Sequence, residues 1–151
     1  MEEQEILDIV DENDNVIGQD TKENIFKKGL KKNNIRVVNI FIFNSKGELL
    51  LPKRSNDRDL FPGCYDFSVG EHVTAGEDYD EAAIRGLKEE LGIINVKVEG
   101  LGKLTPKEGV SSFMKIYRLL YDKEIREYDR DGIENLSWYK LETVKSMVKN
   151  N

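Results

Sequence analysis

The chain is poor in several residue types, and each shortage excludes a class of protein. Its one cysteine, Cys64, cannot form a disulfide within the chain, so we expect a reducing, cytoplasmic location. Its one histidine, His72, cannot supply the several histidines that some metal sites require. No apolar run approaches the roughly 20 residues of a transmembrane helix, because the longest run, residues 37–43, is interrupted by Asn39.

Composition and charge indicate an ordinary globular protein. Of the 151 residues, 38% are hydrophobic and 34% are charged, which fits one domain over residues 1–151 with one core. The formal net charge of −6 argues against a nucleic-acid polymer as partner, and the lack of a long apolar run argues against a membrane. A small anionic ligand is compatible with this charge, because a local basic cluster or a bound cation can hold it.

Local patterns predict an alternation of strands and helices. The predicted strands are residues 5–10, 16–19, 36–43, 48–53, 96–101, 113–121 and 136–139, and the predicted helices are residues 21–29, 78–91 and 141–149. Residues 55–63 are polar and rich in aspartate, so we expect a loop there. This order favours an α/β fold, with a mixed sheet between helices on both faces.

The clearest helix is the one predicted over residues 78–91, which should end at Gly92. Residues three or four apart share a helix face. The predicted buried stripe consists of Ala83, Ile84, Leu87 and Leu91. The predicted opposite face consists of Ala82, Arg85, Gly86, Glu89 and Glu90.

Glu89 and Glu90 are the candidate metal ligands on this helix. Adjacent helical positions splay their carboxylates by about 100°, so the two can meet one ion only at the edge of the face. Mg²⁺ binds through one or two carboxylates together with substrate phosphates, and this spacing suits such a site. The alternative is a solvated charged face in which Arg85 pairs with Glu89 and with Glu81.

A longer pattern of fixed spacing surrounds this helix. Its matching residues are Glu77, Arg85, Leu87, Glu89, Glu90, Gly92 and Ile93. The pattern closely resembles the Nudix box: glycine, five residues, glutamate, seven residues, arginine-glutamate, aliphatic, any, two glutamates, any, glycine, aliphatic. The similarity extends over nearly the whole chain, and its N-terminal part resembles the branch related to isopentenyl-diphosphate isomerase. The resemblance implies a Nudix-type α/β/α sandwich.

Two positions depart from the box. Glu71 stands where the box opens with glycine, and Gly86 stands where it has a glutamate that helps to bind metal or to supply the base. Gly86 costs about 1 kcal/mol relative to alanine inside a helix, and the sequence gives no local reason for it. We hypothesise that Glu71 partly replaces the missing carboxylate.

The resemblance implies metal-dependent hydrolysis of a nucleoside diphosphate linked to another group, with Mg²⁺ or Mn²⁺ as cofactor. It assigns Glu90 as a direct metal ligand and Glu89 as a second ligand or as the base. Arg85 belongs to the same catalytic set and should form an ion pair with Glu77, which holds the loop to the helix. Gly92 has a structural role.

Substrate contacts are expected outside the box. Lys53 and Arg54, at the end of a strand that should run toward the site, are candidate phosphate contacts. Phe61 and Tyr65 are candidates for stacking on a base, and core packing is the alternative for at least one of them. The expected partner is a small-molecule diphosphate. A homodimer is one option, because many relatives are dimers.

Two other functions remain open. The first is a binding module that keeps the fold but has lost turnover through Gly86. The second is isopentenyl-diphosphate isomerisation, which requires a catalytic cysteine where this chain has Gly70 and metal-binding histidines of which His72 alone remains. Glu89 and Glu90 resemble the hydrolases, so the isomerase is the least favoured of the three.

Overall fold

A computed structural model describes residues 4–30 and 34–150 of the chain. Within these ranges the elements are β1 (Ile6–Val10), β2 (Val16–Thr21), α1 (Lys22–Lys28), β3 (Arg36–Phe43), β4 (Glu48–Arg54), β5 (Val69–His72), α2 (Tyr79–Leu91), β6 (Glu99–Leu104), a 3₁₀ turn (Pro106–Glu108), β7 (Phe113–Leu120), β8 (Ile133–Lys140) and α3 (Leu141–Lys149). No helix in the described part of the chain is long and apolar enough to cross a membrane.

Six of the strands form one mixed sheet, in the order β6-β7-β3-β4-β8, with β5 beside β3. β3 runs parallel to β7 along its whole length, from Arg36 opposite Phe113 to Phe43 opposite Leu120. The remaining pairings are antiparallel, and β1 and β2 form a separate hairpin. The predicted α/β class with a mixed sheet is confirmed.

Ser68 fills the gap where β3 and β4 diverge. The ladder between these strands is short, with Phe43 opposite Leu49. The Ser68 hydroxyl accepts a hydrogen bond from the Ile42 N–H at 2.9 Å and donates one to the Leu50 carbonyl at 2.5 Å. This buried hydroxyl satisfies backbone groups that the diverging strands cannot pair with each other. The divergence leaves room for β5 along β3.

Helices cover both faces of the sheet. Val38, Ile40 and Ile42 point to one face and pack with Ala83 and Leu87 of α2 in the larger core cluster. Side chains alternate along a strand, so Val37 points to the other face. There it packs on the smaller cluster, which contains Leu7 of β1 and Ile25 of α1.

The ends of α2 lie close to the predicted positions because its caps are encoded locally. Asp78 accepts from the Glu81 N–H at 2.7 Å, and Glu81 accepts from the Asp78 N–H at 3.3 Å, which completes a capping box. Gly92 ends the helix in the left-handed conformation, with φ of 65°.

The predicted faces of α2 were partly wrong. Ile84 was expected in the buried stripe and is 42% exposed, whereas Ala82 and Gly86 were expected on the outer face and are buried. The row that contains Ala82 and Gly86 faces β5, which the sequence analysis did not identify as a strand. β5 has four residues and contains Gly70 and Glu71, so its pattern is too short and too polar to stand out.

The other elements follow the prediction with one shift. α1 has Thr21 as its N-cap and Gly29 as its C-cap, and α3 occupies Leu141–Lys149. β6 lies at Glu99–Leu104 rather than at residues 96–101. The apolar side chains of Val96 and Val98, on which that prediction rested, pack against the core from the connecting segment.

Asp14 joins the N-terminal hairpin to the rest of the fold. Its φ of 64° turns the chain between β1 and β2, and aspartate is among the residues that tolerate this region. Its carboxylate accepts from Arg36 Nε at 2.7 Å, from the Tyr79 hydroxyl at 2.8 Å and from Lys103 Nζ at 2.7 Å. Burial would raise the pKa of Asp14, but these donors outweigh it and hold the pKa below its ordinary value.

We expect Asp14→Asn to lower the free energy of unfolding by about 2 kcal/mol at pH 7, because three hydrogen bonds lose their charged acceptor. Asparagine also tolerates positive φ, so the backbone turn is retained. A carboxyl with a depressed pKa stabilises the fold above its unfolded pKa, and this contribution is lost as the pH falls through its folded pKa. Urea unfolding of wild type and of Asp14→Asn should therefore give free energies of unfolding whose difference narrows below pH 3.8. An equal difference at pH 7 and pH 3 would contradict this role for the charge.

Candidate functional site

The guanidinium of Arg85 joins helix α2 to β5 and to the loop between them. It forms a bidentate pair with Glu77, with Nε–Oε2 at 2.8 Å and Nη2–Oε1 at 3.0 Å. The predicted ion pair is therefore present. Nη2 also donates to the His72 carbonyl at 2.8 Å. Nη1 lies 3.4 Å from the Glu71 carboxylate and 3.2 Å from that of Glu89.

Glu77 is held on its other side by the loop. The backbone N–H and the hydroxyl of Thr74 both donate to Glu77 Oε1 at 3.1 Å. Burial would raise the pKa of Glu77, but the hydrogen bonds from Arg85 and Thr74 keep it below its ordinary value. Glu77 is therefore an ionised anchor, fully occupied by Arg85 and by its own loop.

The packing of α2 against β5 explains the glycine at position 86, and its sequence neighbours do not show this packing. A Cβ at this position would lie 2.6 Å from Glu71 Cγ and 3.1 Å from Val69 Cγ1. Both contacts come from β5, and the first is closer than packed atoms tolerate. The expectation that Gly86 has no local benefit was therefore wrong, because its missing side chain is the space into which Glu71 extends.

Glu71 and Glu90 form a close carboxyl pair. Burial raises the pKa of Glu71, and the nearby Arg85 opposes that rise. Burial is also the main cause that raises the pKa of Glu90, and the charge of Glu71 and a hydrogen bond with its carboxyl add to it. Two carboxyl groups this close share a proton or need a cation between them. The arrangement therefore disfavours the state in which both are charged and unpaired.

The same two groups fit a hard divalent cation. Oxygen donors are the ligands that Mg²⁺ prefers, and one or two carboxylates suffice when a substrate supplies phosphate oxygens. Among residues 4–30 and 34–150, no lysine or arginine forms an ion pair with Glu90. Glu90 also lies in the last turn of α2, where the helix dipole favours positive charge.

Glu89 lies at the exposed edge of the site and contacts Arg85. Its carboxylate pairs with Arg85, and its side chain is 58% exposed. In the part of the chain that the structure describes, no three histidine, cysteine, aspartate or glutamate side chains form a ready-made metal cluster. The structure thus brings Glu71 to Glu90 but leaves Glu89 beside them, at the solvent edge of the site.

Two groups next to Glu90 were missed by the sequence analysis. Asp66 lies near enough for its charge to raise the pKa of Glu90, and the Gly70 backbone N–H lowers that pKa by a hydrogen bond. Asp66 precedes β5 by a few residues and lies in a segment, residues 66–70, that resembles the surroundings of the box without being assigned a role there. Its role depends on the turn that brings the chain back along β3, so no sequence signal marks it.

Arg54, predicted as a phosphate contact, is occupied by the protein. Its Nη1 donates to Asp66 at 2.8 Å, and its Nε donates to the Leu60 carbonyl at 2.9 Å. Arg54 therefore links the loop after β4 to a neighbour of Glu90. Lys53 faces Glu134, with Nζ 3.9 Å from Oε2, and its side chain is 38% exposed.

Phe61 lies at the tip of that loop and is 72% exposed. Its φ of 48° is unusual for a bulky residue, and the Cys64 N–H donates to its carbonyl at 3.3 Å. Tyr65 stacks edge-on with Tyr139 at a centroid distance of 5.6 Å. Phe61 is therefore available to a ligand, whereas Tyr65 has a partner within the fold.

The position that would carry the isomerase cysteine is a glycine packed closely against the Asn39 side chain. A Cβ at Gly70 would lie 2.8 Å from Asn39 Oδ1. Cys64 is exposed in the loop before β5. His72 is mostly buried against Phe26, with ring centroids 5.7 Å apart, and burial lowers its pKa to about 4. None of these residues forms a site for isomerisation.

We expect Gly86→Ala to lower the free energy of unfolding by about 1–3 kcal/mol, the range for overpacking. Inside a helix this change usually raises the free energy of unfolding by about 1 kcal/mol. A decrease would therefore indicate a steric conflict at position 86. Thermal or urea unfolding of Gly86→Ala should be compared in wild type and in Glu71→Ala. In the Glu71→Ala background, the loss of unfolding free energy caused by Gly86→Ala should be smaller. A stabilised Gly86→Ala single variant would show that Glu71 does not occupy this space.

Comparison with known proteins identifies the family. Residues 33–151 match the NUDIX domain. The chain is 45% identical to an uncharacterised Nudix hydrolase of a Nostoc species, over 99% of this chain and 89% of that protein. It is 36% identical to an isopentenyl-diphosphate Delta-isomerase of Photorhabdus laumondii, over 85% and 64%. A Deinococcus radiodurans crystal structure superposes with a TM-score of 0.87 at 33% identity, over 97% and 90%. The chain therefore belongs to the Nudix family.

Proposed function

We propose that this protein is a metal-dependent hydrolase of a small-molecule diphosphate, such as a nucleoside diphosphate linked to another group. The observation that carries the proposal is the half-buried carboxyl pair of Glu71 and Glu90, beside an Arg85 already bound to Glu77. Membership of the Nudix family supports pyrophosphate hydrolysis in general. We propose Mg²⁺ or Mn²⁺ as the cofactor and the cytoplasm as the location.

The chemistry requires that the negative charge of a diphosphate be neutralised before water attacks. A divalent ion, when bound, supplies this neutralisation and increases the acidity of water. Glu90 contributes a carboxylate to hold the ion. Arg85 binds the anchor Glu77 and thereby fixes the position of α2 against β5.

Glu89 is the proposed base. It is exposed at the edge of the site and hydrogen-bonded to Arg85 at 3.2 Å. Its carboxylate takes the proton as the water oxygen bonds to phosphorus, and the bond between phosphorus and the bridging oxygen breaks. Arg85 holds the Glu89 carboxylate in place through this hydrogen bond. The products are two molecules that each end in a phosphate group.

Phe61 is the proposed contact for the group attached to the diphosphate. Its ring is 72% exposed at the tip of the loop that Arg54 holds. Stacking on a base or packing on another apolar group suits such a ring. Lys53, which is partly exposed, is the proposed phosphate contact, whereas Arg54 acts by holding the loop next to Asp66.

We expect turnover of at least one diphosphate when nucleoside diphosphates, triphosphates and dinucleotides are tested with and without Mg²⁺ or Mn²⁺. Chelation should abolish it. Glu90→Gln should lower kcat on the order of 100-fold or more, because it removes part of a charge stabilisation worth several kcal/mol. Glu23→Gln, a change of the same charge at a residue that pairs with Lys27 on α1, is the matched control.

Three results separate the candidate functions. Metal-dependent turnover that Glu90→Gln removes supports the hydrolase. No turnover across the panel, together with calorimetric binding of a nucleotide, supports a binding module instead. Conversion of isopentenyl diphosphate to its isomer would contradict the exclusion that rests on Gly70.

A further inference from the structure

We infer that Glu71 and Gly86 are an exchanged pair: strand β5 supplies the carboxylate that completes the cation site with Glu90, and Gly86 of α2 makes the space for it. This inference rests on the proposed function, because the cation is the one that the proposed hydrolase requires. It assigns a ligand role to a strand residue rather than to the helix position where the family pattern has a glutamate.

The space between β5 and α2 admits only one long side chain. A Cβ at position 86 would lie 2.6 Å from Glu71 Cγ and 3.5 Å from Glu71 Cβ, so the conflict involves the base of the Glu71 side chain. Val69 Cγ1, which lies 3.1 Å from the same Cβ position, also borders this space. A side chain at position 86 and the observed Glu71 side chain therefore exclude each other.

β5 cannot easily move away to relieve this conflict. Four consecutive residue pairs join it to β3, from Val69 opposite Ile40 to His72 opposite Val37. In an antiparallel pair, facing residues point to the same side of the sheet. Glu71 is opposite Val38, whose side chain lies in the core beneath α2. The register of β5 thus aims Glu71 at α2.

The carboxyl group of Glu71 reaches the functional end of this space. It lies within hydrogen-bonding reach of the Glu90 carboxyl, and its other contact is the long 3.4 Å approach of Arg85. The Arg85 charge is already committed to the bidentate pair with Glu77 at 2.8 Å. Two half-buried carboxylates beside one guanidinium, which Glu77 and Glu89 also share, leave negative charge that a divalent ion can neutralise.

The test uses purified full-length protein and Mn²⁺ alone, with affinity measured by calorimetry and by the free Mn²⁺ signal in electron paramagnetic resonance. The variants are Glu71→Gln, Glu71→Gly, Gly86→Glu, the double exchange Glu71→Gly with Gly86→Glu, and the charge control Glu23→Gln. The melting temperature of each is recorded with and without Mn²⁺. Diphosphate turnover is measured in parallel.

Glu71→Gln keeps the shape of the side chain, so it should fold normally and bind Mn²⁺ on the order of 10-fold more weakly, whereas Glu23→Gln should match wild type. Gly86→Glu alone should lower the melting temperature, because two long side chains compete for one space. The double exchange should recover both the melting temperature and the Mn²⁺ affinity relative to Glu71→Gly.

Two results would overturn the inference. One is a Glu71→Gln variant that binds Mn²⁺ as well as Glu23→Gln does. The other is a double exchange that melts like wild type but binds Mn²⁺ no better than Glu71→Gly. If the double exchange fails to fold, the comparison of Glu71→Gln with Glu23→Gln decides. Weak Mn²⁺ binding by Glu71→Gln in a protein with no turnover would support the inference and contradict the proposed hydrolase.

Discussion

The geometry of the site depends on the ion pair between Arg85 and Glu77. The fork of the guanidinium matches the two carboxylate oxygens of Glu77, and a bidentate pair fixes orientation as well as distance. The remaining donors hold the His72 carbonyl and approach Glu71. One side chain thus sets the spacing between α2 and β5. The carboxylates on these two elements can meet because that spacing is fixed.

Local signals in the sequence predict the parts of this fold that local chemistry determines. The ends of α2 follow from the capping pair of Asp78 and Glu81 and from Gly92. Likewise, α1 begins at Lys22 because Thr21 caps it. The resemblance to the Nudix box also predicts the partnership of Arg85 with Glu77, which precedes α2 by two residues. Each of these features depends on residues that are near one another in the chain.

The parts that could not be predicted depend on the sheet. β5 is recognisable only through its pairing with β3, and without that strand the sequence pattern places Ala82 and Gly86 on the outer face of α2. Asp66 comes near enough to Glu90 to raise its pKa because of a turn, and the periodicity of the sequence does not show that turn. The value of Gly86 is clear only when Glu71 is placed opposite it. Tertiary packing therefore overrides the local helix preference at this position.

The parallel pairing of β3 with β7 has a consequence for the order in which the protein folds. Parallel partners need a long crossover, and here the crossover contains β4, β5, α2 and β6. Both Glu71 and Glu90 lie inside that looped segment. Closing it costs chain entropy before the distant contacts repay the loss, so we expect the ladder between β3 and β7 to form late in folding. Contacts that form only after this step stabilise the finished fold by slowing its unfolding and do not speed its formation.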